Sequence, residues 1–515
     1  MLKKLAAAFV IVTLVTMLAG GIVLTIIQRS ARGEIRRITA PLPGAPVVVE
    51  KGGAFSVSLN LHPEAAVDRV YLAAVFARDD LHYVLQVVDS RTDPRKTTRR
   101  TLRVKVPPLT PRSLYDLVVV SSLRGRTSVD DQPGVVSVRD PGGGFSFLVT
   151  GRLESLTAGG MTSRARAELG KMIAEINLLN PDFAVIPGGF SGGVLKERDF
   201  RALSGALASD ARVPFFLFPS PSDRGRVTIR GGLLYDNGKA WKKYFHAGPA
   251  SFDVGRFHVA LPDTSDCGVE RDLGTFRSEG GAALCCMGAV TLSWLRSDLS
   301  GASARGRRTL VFTGCAPGAP PGDGRRERAG RFPNPFTDRA IAKLMNENGV
   351  VAVFDLIRAK DGEVTLRDGL RVVSTRGGKH PASLPGYSLV YVKNGELTGA
   401  HYVPPHGAAP FGKVRVKETR PNDGAAHDNR FVIVNGLNRR LERLRVEALM
   451  APAPPGAYNV SGADAASWFL TPGKTHLFLT ADVEKGAART ISIESVKKTK
   501  PARSAPPAKG KKRGK

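Results

Sequence analysis

The stretch Asn180-Pro-Asp-Phe-Ala-Val-Ile-Pro-Gly-Gly189 decides the fold class, because it places a short apolar run directly before a pair of glycines. The segment before it, about Arg164–Leu179, carries four apolar residues at the i, i+3, i+4, i+7 spacing of one helix face. These residues are Leu169, Met172, Ile173 and Ile176. An amphipathic helix followed by a buried strand and a glycine turn predicts an α/β domain with a largely buried sheet.

The alternation of short apolar strands with helices continues on both sides of this stretch. Strands are predicted at Phe145–Thr150, Phe183–Pro187, Pro214–Phe218, Phe257–Pro262, Thr309–Thr313 and Val350–Phe354. A second helix is predicted near Asp338–Asn348, where Thr337 stands at the N-cap position and Gly349 at the stop position. The α/β domain is therefore predicted to span residues 145–400.

Two further regions show the period-two alternation of half-buried strands. In the first, Phe55-Ser-Val-Ser-Leu-Asn-Leu61 alternates apolar and polar residues. In the second, three strand-like runs follow one another: Phe431–Val434, Leu444–Ala448 and Thr475–Leu479. Because such alternation is typical of sandwiches, we predict an immunoglobulin-like β-sandwich over 47–140 and a second β-sandwich over 411–495.

The chain is strongly basic, with a formal net charge of +29 over 515 residues, and a field of this sign attracts polyanions. Nine positive residues and no acid occur from Lys497 to Lys515, which predicts a disordered basic tail over 496–515. The tail is expected either to bind an anionic envelope polymer or acidic lipid, or only to keep the chain soluble. Nucleic acid is not an expected partner, because no zinc finger or RNP-like aromatic strand is present, and no protein partner is indicated.

Four sequence blocks, in this order, resemble the calcineurin-like metallophosphoesterases over about Phe145–Val392. They are the opening stretch Asn180–Gly189, the segment Tyr244–Ser265, the helix-like Ser293-Trp-Leu-Arg-Ser-Asp-Leu-Ser300 and the closing strand Gly386–Val392. The resemblance implies a metallophosphoesterase-like layered α/β/β/α sandwich, here flanked by the two β-sandwich domains. It also implies two metal ions at the ends of the central strands, where a metal-bound hydroxide attacks phosphorus.

The residues at those strand ends do not supply the metal ligands that the resemblance implies. In place of the family's Asp, His and Asn ligands stand Gly151 and Leu153, Gly188 with Gly189, Pro221 and Ser222, Gly314 or Cys315, and Leu356 with Arg358. Glycine and leucine side chains bind no divalent ion, and Arg152 and Arg358 would add positive charge beside the metals. Only Asp223 is retained, at a position that is not a primary metal ligand. We therefore expect no catalytic residue and no cofactor.

Two functional interpretations follow. The favoured one is a catalytically inactive binding or scaffold protein of the cell envelope, whose cleft holds an anion at Arg152 and the backbone amides of Gly188 and Gly189. An ordinary solvated arginine is the alternative at position 152. The second interpretation is an active metal-dependent phosphoesterase with two divalent ions such as Mn, Fe or Zn on non-standard ligands. The candidate ligands are Asp223, Asp263 and Asp355.

The N-terminal segment Leu5–Ile27 contains no charged residue and spans roughly 34 Å as a helix, enough to cross a bilayer core. It predicts a single-pass transmembrane anchor between a short basic N-terminus, 1–4, and a linker, 28–46. A cleaved signal peptide is the alternative, although its apolar region usually has about 7–15 residues. Basic residues on both flanks leave the orientation open. By analogy with exported phosphoesterases, the body is expected on the extracytoplasmic side of the membrane.

Cysteine usage leaves two alternatives open. Cys267 and either Cys285 or Cys286 lie in one glycine-rich segment, where a disulfide can form outside the cytoplasm. Free, buried thiols are the other interpretation. No CxxC pair occurs among the four cysteines, so a structural zinc site is not expected.

Overall fold

The structure is a computed structural model that describes most of the chain between residues 37 and 496. The described residues are 37–140, 142, 144–151, 153, 160–188, 190, 197–219, 223, 226–229, 232–235, 239–246, 248–264, 287, 289–313, 338–355, 362–365, 370–374, 384–397, 409–454 and 456–496. The chain divides into two compact units. The first comprises residues 1–177 and 181–411, and the second comprises residues 178–180 and 412–515.

The first unit begins with nine strands in two sheets. The strands are β1 (Ile38–Ala40), β2 (Val47–Glu50), β3 (Ala54–Asn60), β4 (Ala66–Ala74), β5 (His82–Val84), β6 (Gln86–Asp93), β7 (Lys96–Lys105), β8 (Ser113–Leu123) and β9 (Arg126–Arg139). One sheet has the order β1-β3-β7-β6 and the other β2-β9-β8-β4-β5. In β3, the alternation buries Phe55, Val57 and Leu59, and both sheets contribute to one apolar core.

The rest of the first unit alternates strands with helices. Its elements are β10 (Phe145–Thr150), α1 (Ser163–Leu179), β11 (Phe183–Ile186), α2 (Glu197–Asp210), β12 (Phe215–Leu217), β13 (Arg226–Ile229), β14 (Gly232–Tyr235), α3 (Lys239–Tyr244), β15 (Ala250–Val254), β16 (Phe257–Leu261), α4 (Ala289–Ala304), β17 (Arg308–Thr313), α5 (Asp338–Glu347), β18 (Val350–Asp355), β19 (Gly362–Thr365), β20 (Arg371–Ser374), β21 (Gly386–Lys393), β22 (Glu396–Leu397) and β23 (Ala409–Pro410).

Two six-stranded sheets organise this region. The first has the order β12-β11-β10-β21-β22, with β23 paired to β21, and the second has the order β15-β16-β17-β18-β20-β19. Neighbouring strands β10, β11 and β12 run parallel, as do β16, β17, β18 and β20. Because parallel neighbours end at the same edge of a sheet, the residues after these strands are brought close together along that edge.

A core of aromatic side chains lies between strands of the two sheets. Phe147 and Phe183 from the first sheet contact Phe312, which stacks on Phe354 in the second. All four side chains are fully buried. Shape-matched ring contacts of this kind fix the spacing of the strands that carry them.

The second sheet buries its other face under helices. Along β17, Leu310 and Phe312 belong to the aromatic core, whereas Val311 between them belongs to a separate apolar cluster. That cluster contains Leu295 of α4 and Met345 of α5, both fully buried. A strand covered on both faces needs apolar residues in succession, which explains the uninterrupted run in β17.

Asp182, directly before β11, connects this region to the N-terminal strands. Its side chain is buried, accepts a hydrogen bond from the Ser146 backbone N–H at 2.8 Å, and lies 3.2 Å from the Arg112 guanidinium. Arg139, which is also buried, approaches the same carboxylate at 4.0 Å. One carboxylate therefore offsets the charge of two arginines in a region from which water is largely excluded.

Replacing Asp182 by asparagine is expected to lower the free energy of unfolding by about 2 kcal/mol, because the buried Arg139 loses its counter-charge. Equilibrium urea denaturation followed by tryptophan fluorescence measures the change. Asp140→Asn is the matched control, since Asp140 pairs with Lys51 but is 58% exposed, and it should change stability by less than about 0.5 kcal/mol. Equal effects of the two variants would contradict a special role for Asp182.

The second unit consists of seven strands in two antiparallel sheets. The strands are β24 (Val414–Glu418), β25 (Asn429–Asn435), β26 (Leu441–Met450), β27 (Tyr458–Ser461), β28 (Ala465–Thr471), β29 (Lys474–Val483) and β30 (Ala488–Ser495). One sheet has the order β24-β25-β30-β27 and the other β26-β29-β28. Alternate residues of β25, such as Ile433, are buried, whereas β29 buries the consecutive residues 475–479.

The predicted fold class, a layered α/β/β/α sandwich with a transmembrane helix, is wrong. Strands hold 51% and helices 18% of the described residues, and that part of the chain contains five α-helices. Helices and strands alternate only between α1 and β18. The remaining sheets form by period-two burial, as in β3 and β25, and this pattern requires no covering helix.

The predicted membrane localisation is also corrected. Within the part of the chain that the structure describes, no helix is both long and apolar enough to cross a membrane. The predicted anchor Leu5–Ile27, the N-terminus 1–4, residues 28–36 of the linker 28–46 and residues 497–515 of the tail 496–515 lie outside the described residues. The prediction of an anchor rests on the length of the apolar run and its lack of charge.

Candidate functional site

The carboxyl ends of β10 and β11 carry apolar residues and glycines at the positions where metal ligands were sought. Gly151 follows β10 directly, and its backbone N–H donates a 2.8 Å hydrogen bond to the Gly386 carbonyl. Leu153 is 1% exposed and Phe190 is also buried. Gly188, between β11 and Phe190, is buried as well. The described side chains that follow β10 and β11, those of Leu153 and Phe190, are therefore packed in the interior.

Buried polar residues occur at or shortly after the ends of β10, β12, β16 and β17. Thr150 closes β10 and Thr313 closes β17, and both side chains are fully buried. Asp263 and Thr264 follow β16, and Asp223 follows β12; all three are buried. Burial of a carboxylate without a partner is costly, and both aspartates have interaction partners.

These carboxylates are not gathered into a metal site within the described residues. There, no three His, Cys, Asp or Glu side chains come close enough to hold a metal ion. Among the side chains that the structure describes, Asp223 and Asp263 of the alternative ligand set are thus not joined by a third ligand, and the Asp355 side chain lies outside those described. Asp355 closes β18.

Several predicted positions lie outside the described residues, namely Arg152, Gly189, Pro221, Ser222, Gly314, Leu356, Arg358, Cys267 and Cys285. Of the predicted anion site, only Gly188 is described. The anion site and the disulfide therefore stay predictions.

His246 lies between α3 and β15, and the sequence alone indicates no function for it. Its backbone N–H donates to the Pro43 carbonyl at 3.2 Å, and its own carbonyl accepts a 2.7 Å hydrogen bond from Trp241 Nε1. Burial lowers the pKa of His246, although a contact of its ring with the Pro249 carbonyl and the nearby Asp263 carboxylate act in the opposite direction. The imidazole is therefore neutral at pH 7.

A second histidine, His258, is held between two carboxylates. Its Nδ1 lies 2.7 Å from Asp253 and its Nε2 lies 2.7 Å from Asp298. Burial would lower the pKa of His258, but the two hydrogen bonds outweigh it and raise the pKa to about 9. Ser251 donates a further hydrogen bond to Asp298 at 2.8 Å. The ring is thus an imidazolium at neutral pH, with both ring nitrogens donating.

The arrangement around His258 serves structure rather than catalysis. His258 is the second residue of β16, Asp253 lies in β15 and Asp298 lies in α4. Both ring nitrogens are occupied, so neither can take or give a proton to a substrate without breaking an ion pair. We call His258, Asp253 and Asp298 the His258 clamp, and it joins two strands and a helix. Sequence reasoning missed it because its members are 5 and 40 residues apart and form no short motif.

Comparisons with known proteins identify no family. No protein-family model matches the chain, and no curated protein matches it. An amylomaltase structure from Corynebacterium glutamicum aligns at 17% identity over 31% of this chain and 23% of that chain, with a TM-score of 0.15. This chain therefore spans about a quarter of the amylomaltase.

Two further solved structures have equally low scores. A protein assigned as an α-galactosidase from Bacteroides fragilis is 10% identical over 89% of this chain and 97% of its own, with a TM-score of 0.15. A family 123 glycoside hydrolase from Clostridium perfringens is 9% identical over 60% and 58%, with a TM-score of 0.12. None of the three is a metallophosphoesterase, so the description of the chain as metallophosphoesterase-like has no support in these comparisons. Scores this low transfer neither fold nor function to this chain.

Proposed function

We propose that this chain is a non-catalytic binding or scaffold protein, in which phosphoesterase-like motifs keep their order without their metal ligands. The observation that carries the proposal is Leu153, which is 1% exposed where the resemblance requires a histidine. A leucine buried to this extent is a packing residue, and its side chain offers no lone pair to a metal ion.

The neighbouring strand ends support the same proposal. Gly151 stands where a carboxylate ligand is required, and its backbone N–H is occupied by the hydrogen bond to Gly386. Phe190 is buried beside the glycine pair at the end of β11. Removing an imidazole and a carboxylate eliminates the ligands that hold two dications about 4 Å apart.

The partner class that we propose is an anionic polymer or an acidic lipid. The net charge of +29 and the nine cations between Lys497 and Lys515 favour partners of opposite sign. Such an attraction is screened by salt, so binding should weaken as the ionic strength rises.

Metal content and hydrolysis test the proposal directly. Protein purified without chelator is expected to hold less than about 0.1 equivalent of Mn, Fe or Zn per chain. An active binuclear phosphoesterase would instead hold two ions per chain, since it needs both to activate water. It should also leave bis(p-nitrophenyl) phosphate intact when each of these metals is added. Elemental analysis by mass spectrometry and the release of nitrophenolate measure the two outcomes.

Asp263→Asn is the matched variant for the alternative function, because Asp263 is a buried carboxylate that an active enzyme would need as a ligand. Two equivalents of metal together with hydrolysis in the unaltered chain, both lost in Asp263→Asn with its thermal unfolding retained, would establish a metal-dependent phosphoesterase. The binding role would then be rejected.

A further inference from the structure

The outer face of the sheet β1-β3-β7-β6 carries a row of cations on β7. Along this strand Leu102 and Val104 are buried, whereas Arg99, Arg103 and Lys105 point to the solvent side. Arg103 pairs in register with Ser56 of β3, and Lys105 with Ala54. Arg99 pairs with Asn60, so on the β3 side the three cations have uncharged neighbours.

These three cations have no ion pair to any residue that the structure describes. Some exposed arginines elsewhere on the surface pair with carboxylates, as in Arg124 with Glu64 at 3.1 Å and Arg420 with Asp428 at 2.7 Å. On the neighbouring strand β6, the carboxylate of Asp89 is engaged by Arg91 at 2.7 Å. In the strand register, Asp89 lies opposite Arg103, so the three cations on β7 face one carboxylate, which Arg91 already engages, and the row keeps a net positive charge.

Protection of a sheet edge does not account for this charge. Lysine and arginine often occur on edge strands, where they prevent edge-to-edge pairing. Strand β7, however, lies between β3 and β6 in the sheet. Two cations about 6.8 Å apart on one strand face repel each other by roughly 0.6 kcal/mol even in water. A bound anion would remove this repulsion.

The chemistry of the row favours phosphate groups. Residues on one face of a strand recur about every 6.8 Å, so Arg99, Arg103 and Lys105 span roughly 20 Å in a line. A guanidinium binds phosphate through two parallel hydrogen bonds, which suits a ligand with phosphates along its length. Serine and threonine hydroxyls at Ser56, Ser58 and Thr101 add donors beside the cations.

The same face lacks the groups that recognise single-stranded nucleic acid. Such recognition uses aromatic side chains on which successive bases stack. In the strand register, the described residues paired with or lying along this face are alanine, serine, threonine, asparagine, glutamine, aspartate, arginine and lysine, and none of them is aromatic. A polymer without bases fits this flat, hydroxyl-rich surface better than a nucleic acid.

We infer that the outer face of β7 binds a linear phosphate polymer that carries no bases, with Arg99, Arg103 and Lys105 as its contacts. The inference goes beyond the proposed function in naming a ligand class and a surface distant in sequence from the basic tail. It does not depend on metal content or hydrolysis, so either proposal can fail while the other holds.

The full-length chain is tested with long-chain inorganic polyphosphate as the probe. The triple variant Arg99→Thr/Arg103→Thr/Lys105→Thr is expected to weaken binding at least about tenfold. The plot of log K against log salt concentration should also become less steep by about 2, because each of the three lost phosphate contacts contributes roughly 0.7 to its slope. Threonine keeps the strand propensity of β7. Circular dichroism and thermal unfolding check the fold, and if the triple variant fails to fold, Arg103→Thr alone should weaken binding about threefold.

The matched control is Arg415→Thr/Lys417→Thr/Arg430→Thr in the second unit, which removes the same three charges from exposed positions of β24 and β25. It should change affinity less than about threefold, because it alters net charge alone. Equal losses in the two triple variants would overturn the inference. So would loss of binding only on deletion of residues 497–515, or binding of polygalacturonate or single-stranded DNA as tight as that of polyphosphate.

Discussion

Replacing Phe147 by alanine is expected to lower the free energy of unfolding of the first unit by about 4 to 5 kcal/mol. The Phe147 ring is fully buried and stacks on Phe183 with a centroid distance of 5.3 Å. It also makes edge contacts with Phe312 at 5.4 Å and Phe354 at 5.2 Å. Since these partners lie on both six-stranded sheets, neighbouring groups cannot fill the cavity without moving strands apart.

Urea denaturation of the Phe147 variants measures this effect. Phe147→Leu keeps most of the volume and should cost only about 1 to 2 kcal/mol. Leu109→Ala is the surface control: Leu109 is 91% exposed, and its truncation should change stability by less than about 0.5 kcal/mol. A loss below about 2 kcal/mol for Phe147→Ala would mean that the two sheets do not share a tightly packed core.

The strands that form this core were predictable from the sequence. The expected strand Phe145–Thr150 agrees with β10, and the expected helix over about Arg164–Leu179 agrees with α1. Both segments are long apolar or strictly periodic runs, so burial on one or both faces determines their conformation with little help from distant residues. Leu169, Met172, Ile173 and Ile176, which form the predicted helix stripe, are all buried.

The assembly of these elements was less predictable. The alternation of helices and strands in the sequence predicts a layered sandwich, whereas about half of the described residues lie in strands. Sheet order depends on contacts such as β10 with β21, which joins Phe147 to Val390 across more than two hundred residues. Local periodicity carries no information on such pairings.

Some features of the candidate site can also be predicted from the sequence, whereas others depend on tertiary contacts. That Gly151 and Leu153 cannot bind metal follows from their side-chain chemistry and needs no coordinates. That Leu153 is a buried packing residue, and that His258 is held by two carboxylates, depends on tertiary contacts. In the sequence, Asp253 and Asp298 look like ordinary surface acids, one before a turn and one on a helix.

Replacing His258 by leucine is expected to destabilise the first unit by about 2 to 3 kcal/mol near pH 6. Asp253 and Asp298 would then face each other without the imidazolium between them. The rise of the pKa of His258 to about 9 corresponds to about 3 kcal/mol of stability before solvent screening is taken into account. Because Asp253 is 37% exposed, solvent screens its charge, and the expected loss of stability is closer to about 2 kcal/mol.

The pH dependence distinguishes this ion pair from simple packing. Because the folded-state pKa of His258 lies above its unfolded value of 6.5, the contribution is complete below pH 6.5 and is lost as the pH rises through about 9. The difference in stability between the unaltered chain and His258→Leu should therefore shrink between pH 6 and pH 10. His62→Leu, at an exposed histidine, should leave that pH profile unchanged. If the difference stayed constant with pH, His258 would stabilise the fold by packing alone, and the clamp would carry no charge.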